Sequence, residues 1–313
     1  MTHAAVRTLR IGIGLLALTF AATAVANPEP WQLNMAPGVT EVSREVWWLH
    51  NLILGICVTI GVLVFGAMGY AMFAFRKSKG AVAAQFSHNT KAEIIWTVIP
   101  ILILVAMAVP ATGTLLKIYD TSESEMTVKV TAYQWMWKYE VLNYRGETTG
   151  VGFTSRLDPQ SNAARRPGSG IDPKSVKDGD FNSYLLNVDN PLVIPTDTKI
   201  RFVITADDVI HSWWVPALGW KQDAIPGIVN SAWTKIPADK AGVYRGQCAE
   251  LCGKDHGFMP IVVKALPRDE FEAWLAAQPG STFGQQAAAP VAASSEPAAL
   301  PQEEAPAHGQ DQG

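Results

Sequence analysis

Apolar and polar positions are unevenly spread along the 313-residue chain, and the early part is far more apolar than the rest. One continuous apolar run covers about residues 49–75, and a second covers about 94–116. As helices, both are long enough to cross a bilayer core of ~30 Å. Between them, "RKSKGAVAAQFSHNTK" carries Arg76, Lys77, Lys79 and Lys91 and no acid. The positive-inside rule places this loop, residues 76–93, in the cytoplasm. The pattern predicts a helical hairpin with both ends outside. Trp47, Trp48 and Trp96 sit near the span ends, as interfacial anchors do, and Pro100 and Pro110 lie within the second span. A membrane helix tolerates such prolines where neighbours restore the lost hydrogen bonds, which points to a larger helical partner.

A shorter apolar stretch, "IGIGLLALTFAA", follows Arg7 and Arg10 and precedes Ala24–Ala26. It reads as a signal peptide over residues 1–26, with an uncleaved anchor as the alternative. A segment at 27–48 would then lie outside, before the first span.

Beyond residue 117 the period shortens. "MTVKVTAYQWMWKYEV" alternates and is rich in β-branched and aromatic residues, so it reads as a strand. "NSYLLNVDNPLVIPTDTKIRFVITADD" reads as two or three strands broken by turns, and "GVYRGQC" and "MPIVVKALP" as further strands. Short strands between turn residues predict a sandwich or barrel over residues 117–278. Residues 144–180, rich in Gly, Pro and Arg, read as a surface insertion. "PRDEFEAWLAAQ" has helical spacing through Phe271, Trp274 and Leu275. From Pro279 the chain is mostly Ala, Pro, Gln and Glu, and residues 279–313 read as a disordered tail. No internal repeat stands out. The expected fold class is an α+β membrane protein: a two-helix hairpin followed by an extracytoplasmic β-domain.

Charge and composition narrow the function. A net charge of -3 argues against nucleic-acid binding. The eleven tryptophans suit membrane interfaces and buried sites with one polar edge. Of the three cysteines, Cys57 lies mid-span and reads as a small buried apolar residue. His3, His50, His88 and His308 have no ligand-like surroundings. The other two cysteines stand in "GQCAELCGKDHGFMP" with His256 and Met259. A Cys248–Cys252 disulfide, a structural zinc site and plain packing are each compatible with part of this loop. Thiolate, thioether and imidazole together form a soft ligand set that favours copper, and methionine is a poor zinc ligand. His211, in "DDVIHSWW", ends an apolar strand and would reach the loop in a sandwich. A mononuclear electron-transfer copper needs only one thiolate. Two thiolates can bridge two copper ions, with His211 and His256 terminal and Met259 and a backbone carbonyl completing the shells. One electron shared over two metals would need little reorganisation on transfer.

"HSWWVPALGWKQDAIPG" and "GQCAELCGKDHGFMPIVV", together with the hairpin and the aromatic strand, resemble the cytochrome c oxidase subunit 2 family of the haem-copper oxidases. The likeness covers most of residues 40–275. It implies a cupredoxin-like Greek-key domain bearing the dinuclear copper centre called CuA. The implied ligands are His211, Cys248, the Glu250 carbonyl, Cys252, His256 and Met259. The Glu250 carboxylate would also join a non-redox Mg²⁺ shared with subunit 1. Trp135, in "QWMWKYE", corresponds to the electron-accepting tryptophan beneath bound cytochrome c. The match there is imperfect: Met136 stands where an aromatic is common and Tyr133 where a histidine often sits. Asp207 and Asp208 match acidic positions used for docking cytochrome c. Glu93 resembles the entrance of a proton-conducting path in subunit 1.

The resemblance implies that the chain passes electrons from cytochrome c through copper to haem a of subunit 1. Subunit 3 is a further partner, and the complex lies in the bacterial inner membrane with both termini and the copper domain periplasmic. The tail lacks Cys-x-x-Cys-His, so no fused c-type haem is expected. A quinol oxidase subunit would have this architecture without the copper ligands, which are all present here. A reductase of nitrogen oxides could share the loop, but the hairpin and Glu250 fit the oxidase better. The alternative of another class is a membrane-tethered copper carrier without a catalytic partner.

Overall fold

The computed structural model describes residues 31–179 and 181–284. The expected signal peptide and most of the expected tail lie outside the described residues.

Helix α1 spans Glu41–Ala74, 34 residues, and helix α2 spans Thr90–Tyr119, 30 residues. At 1.5 Å per residue they are roughly 51 and 45 Å long, beyond the ~30 Å of a bilayer core. Both are long and apolar enough to cross a membrane. The surplus in α1 lies at its start, eight residues before the apolar run begins. There Thr40 caps the helix: its hydroxyl accepts from Ser43 N, and Ser43 Oγ accepts from Thr40 N. That first turn is buried against the loop Pro216–Gly219 of the β-domain. Thr40 Oγ1 donates to Leu218 O at 2.8 Å, and Val39 N donates to Ala217 O at 2.9 Å. Gly219 has φ +85°, and a Cβ there would meet Ser43 Cα at 2.4 Å, so only glycine permits this approach. At the end of α2, Lys117 O accepts from Trp233 Nε1 at 2.8 Å. The hairpin is thus fastened to the β-domain at both helices.

The β-domain is a sandwich of two five-stranded sheets, with a separate two-stranded ribbon. In chain order the strands are β1 Met126–Tyr133, β2 Met136–Tyr144, β3 Glu147–Ser155, β4 Lys177–Asp178, β5 Phe181–Asn182, β6 Leu192–Pro195, β7 Ile200–Ala206, β8 His211–Trp214, β9 Lys221–Ala224, β10 Asn230–Thr234, β11 Gly242–Cys248 and β12 Pro260–Leu266. One sheet has the order β10-β7-β1-β2-β3 and the other β6-β12-β11-β8-β9. A short helix α3, Pro159–Ala164, follows β3, and α4, Arg268–Ala276, follows β12. Alternation fills the core: Met126, Val128, Val130 and Ala132 of β1 and Trp137 and Tyr139 of β2 are fully buried. Tyr139 accepts from Trp213 Nε1 across the sandwich at 3.2 Å, and Trp213 stacks on Trp220 with centroids 5.1 Å apart. A two-helix hairpin followed by a β-sandwich is the expected fold class.

Three local expectations change. The stretch 126–141 is a hairpin rather than one strand, because Gln134 and Trp135 turn the chain between Tyr133 and Met136. The strands β6 and β7 found within 182–208 agree with the expected two or three. The region 144–180 is partly regular: β3 is the edge strand beside β2, and the β4–β5 ribbon is held by Arg245, which pairs with Asp178 at 2.5 Å and stacks on Phe181. Its glycines hide the strand pattern. The start of the expected tail is also anchored. Thr282 N donates to Thr149 O at 2.8 Å, and Phe283 packs on Tyr144, covering the free edge of β3.

Candidate metal centre

Three loops meet at one end of the sandwich: the β1–β2 turn, the β7–β8 loop and the long β11–β12 loop. Strands β8 and β11 are neighbours, with Cys248 opposite Trp213, so His211 at the start of β8 stands beside Cys248 at the end of β11. The β11–β12 loop is closed at its base, where Cys248 N donates to Met259 O at 3.1 Å. Gly246 lets the two strands approach, since a Cβ there would fall 2.0 Å from Trp214 O.

Cys248 and Cys252 are buried free thiols with their sulfurs 3.8 Å apart. His211 Nδ1 lies 3.9 Å from Cys248 Sγ, and His256 Nδ1 lies 3.5 Å from Cys252 Sγ. The Glu250 carbonyl is 3.3 Å from Cys248 Sγ, and the Met259 side chain is buried beside the pair. Ligand atoms of His211, Cys248 and Cys252 lie within 4.8 Å of one another. Each imidazole thus stands beside a different sulfur, His211 by Cys248 and His256 by Cys252. Sulfurs this close can both sit about 2.3 Å from one metal, the zinc–thiolate length. The donor set therefore fits a pair of soft metal ions bridged by two thiolates and capped by an imidazole at each end.

The surroundings tune the donors. Burial disfavours the charged His211 ring, but its bonds to Cys248 and Asp208 outweigh this and raise its pKa. Burial likewise opposes ionisation of Cys248, yet His211 and neighbouring backbone groups bring its pKa down. Burial and then the negative charge of Cys248 push Cys252 up. The first thiolate thus belongs to Cys248. A bound cation would supply the charge that lets Cys252 ionise as well.

The sequence-predicted residues fall into three groups. His211, Cys248, Glu250 O, Cys252, His256 and Met259 converge on one place. Trp135 stands at its rim, half-buried, and its indole Nε1 donates to Cys252 O at 3.2 Å. Gln134 Nε2 donates to the same carbonyl at 2.9 Å. Glu93 is remote, in the first turn of α2, where its carboxylate accepts from Asn89 N at 3.2 Å. The exposed Glu250 carries its carboxylate at the surface of the loop.

Asp208 has a task that sequence reading missed. Its carboxylate accepts from His211 Nε2 at 2.9 Å and from Gln134 N at 2.7 Å. When the ring is neutral, the first bond keeps its proton on Nε2 and leaves the Nδ1 lone pair available to a metal ion. The Asp-x-x-His spacing was the available signal. Asp207 is exposed. Trp137 backs the other side of the His211 ring at a centroid distance of 6.2 Å.

Residues 126–266 match the family profile described as cytochrome c oxidase subunit II, periplasmic domain, and residues 28–113 match the corresponding transmembrane-domain profile. A probable cytochrome c oxidase subunit 2 from Rickettsia felis is 40% identical over 253 residues, covering 81% of this chain and 74% of the relative. The cytochrome c oxidase subunit 2 of Cereibacter sphaeroides is 36% identical over 279 residues, covering 86% and 90%. The crystal structure of the periplasmic domain of subunit II of cytochrome oxidase from Bradyrhizobium japonicum aligns with a TM-score of 0.39 at 35% identity, covering 50% of this chain and 96% of that one.

Proposed function

The chain belongs to the cytochrome c oxidase subunit 2 family, and from that premise we propose that it is the electron-accepting subunit of a respiratory oxidase. It takes electrons one at a time from reduced cytochrome c on the periplasmic side of the inner membrane. It delivers them to haem a of subunit 1, where dioxygen is reduced to water and protons are pumped. Subunits 1 and 3 would surround the hairpin, whose apolar flanks are exposed in the isolated chain.

His211, Cys248, Glu250 O, Cys252, His256 and Met259 would hold the dinuclear copper. When bound, that centre supplies a one-electron couple spread over two metal ions. The protein's part is rigidity. Both sulfurs lie on a loop tied at its base by the Cys248–Met259 backbone bond, and Asp208 and Trp137 fix the His211 ring. Ligands that cannot move between redox states keep the reorganisation small. Trp135 gives the electron a short path inward, from a partly exposed indole through one hydrogen bond to the carbonyl of Cys252. Asp207 is the acid left free for steering a basic cytochrome c, since Asp208 is engaged. The Glu250 carboxylate would meet a Mg²⁺ shared with subunit 1, and Glu93 would stand at a proton path on the cytoplasmic side.

The observation that carries the reading is the pair of adjacent free thiols with one imidazole at each end and an indole bonded to the loop. It is tested by mixing copper-loaded full chain rapidly with reduced cytochrome c. Trp135→Phe is expected to slow reduction of the centre markedly at unchanged copper content. An unchanged rate would remove Trp135 from the path.

A further inference from the structure

Arg165 lies just past helix α3, outside the ligand loop, yet its guanidinium reaches that loop. Nη1 pairs with Asp255 Oδ1 at 3.4 Å, and Cζ stands 4.3 Å from the centroid of the Phe258 ring. Nε donates to Asn162 Oδ1 at 2.9 Å, which orients the fork. The Arg165 and Asp255 side chains are each 26% exposed, so water screens this pair less than an open surface pair. Helix α3 is itself anchored. Asp158 caps it through Gln160 N and Ser161 N, and Ser161 Oγ accepts from Leu185 N.

Asp255 and Phe258 flank a single tight turn, closed by Phe258 N donating to Asp255 O at 2.9 Å. Residues three apart in such a turn share a face. Arg165 holds that face, while His256, between them, aims its ring at Cys252. Other contacts hold the loop on either side: Gln134 and Trp135 grip Cys252 O, Lys254 Nζ stands 5.6 Å from the Trp135 ring centroid, and Cys248 N grips Met259 O. The turn carrying His256 lies between those anchors.

We infer that Arg165 is a positioning residue for His256, clamping the turn of the ligand loop through Asp255 and Phe258. The role suits arginine, whose planar group can pair with a carboxylate and lie on an aromatic face together. This rests on the copper reading above and adds a function for the region after β3.

The test uses the full chain in detergent, loaded with copper, as wild type, Arg165→Ala, Arg165→Lys and Asp255→Asn. Two coppers with a shared-electron signal in the wild type establish the centre on its own. Arg165→Ala should then keep the metal count but lose copper to a chelator about tenfold faster or more. Its hyperfine pattern and reduction potential should shift, and lysine should recover only part. Asp255→Asn should show part of the same loss, and Arg165→Ala combined with Asp255→Asn should be no worse than Arg165→Ala alone. Unchanged release, hyperfine pattern and potential in both single variants would overturn the inference. Should Arg165→Ala fail to fold, Asp255→Asn and Arg165→Lys decide by the same readouts. Should the wild type take no copper, the copper reading fails, and amide exchange at residues 256–258 decides: faster exchange in Arg165→Ala upholds the clamp, equal exchange removes it.

Discussion

A carboxylate that accepts from His211 Nε2, Gln134 N and Val209 N has little charge left to offer a partner. At the residue scale, Asp208 is therefore a brace for His211 before it is a docking acid. Asp208→Ala is expected to weaken copper retention by about 10–100-fold in the absence of cytochrome c. Asp207→Ala should leave retention unchanged and alter only the salt dependence of the reaction with cytochrome c. Competition against a chelator measures the first and stopped-flow mixing the second. Equal retention in wild type and Asp208→Ala would return Asp208 to docking alone. The candidate ligands were legible in the sequence because Cys, Cys, His and Met stand at short intervals within one loop. Asp208 and Arg165 were not, because their meaning depends on which element each side chain faces.

Elements bring these side chains together. Strands β8 and β11 must approach closely for His211 to reach Cys248, and Gly246 permits it. Gly246→Ala would press a methyl into the Trp214 carbonyl. A destabilisation of about 1–3 kcal/mol is expected, as for other overpacked cores, with loss of metal affinity. Chemical denaturation of the variant with and without copper measures both, and a wild-type midpoint would refute the close approach. Strand periodicity gave β11 and β12 close to their bounds. It failed at 126–141, where a two-residue turn keeps the alternation running, so a hairpin resembles one strand. It failed again at β3, whose Gly150 and Gly152 leave no apolar rhythm to read.

On the scale of the whole molecule, a helical hairpin carries a domain whose candidate metal site lies at the far end of β8 from the loop that holds the start of α1. The two helices were legible from length and apolarity alone. Their fastening to the domain through Thr40, Gly219 and Trp233 was not, since it joins residues far apart in sequence. The domain's pH response follows from its buried phenols. Burial, and then the bond to Glu272, raise Tyr144 to about 12, and burial also raises Tyr139. A raised phenol contributes stability that is complete below the ordinary value of about 10 and lost as pH climbs through the folded value. Stability should therefore fall between about pH 10 and pH 12, and Tyr144→Phe should flatten part of that fall. Denaturant midpoints across this range check it; an equal slope in the variant would discount Tyr144.

The central claim is that two thiolates and two imidazoles from the ends of β8 and β11 and the loop between β11 and β12 hold a copper pair sharing an electron. Copper content and EPR of the full chain in detergent test it most directly. The account predicts two copper ions per chain and a hyperfine pattern from one unpaired electron divided equally between two nuclei. A single copper with a localised electron, or zinc held in preference to copper, would contradict it.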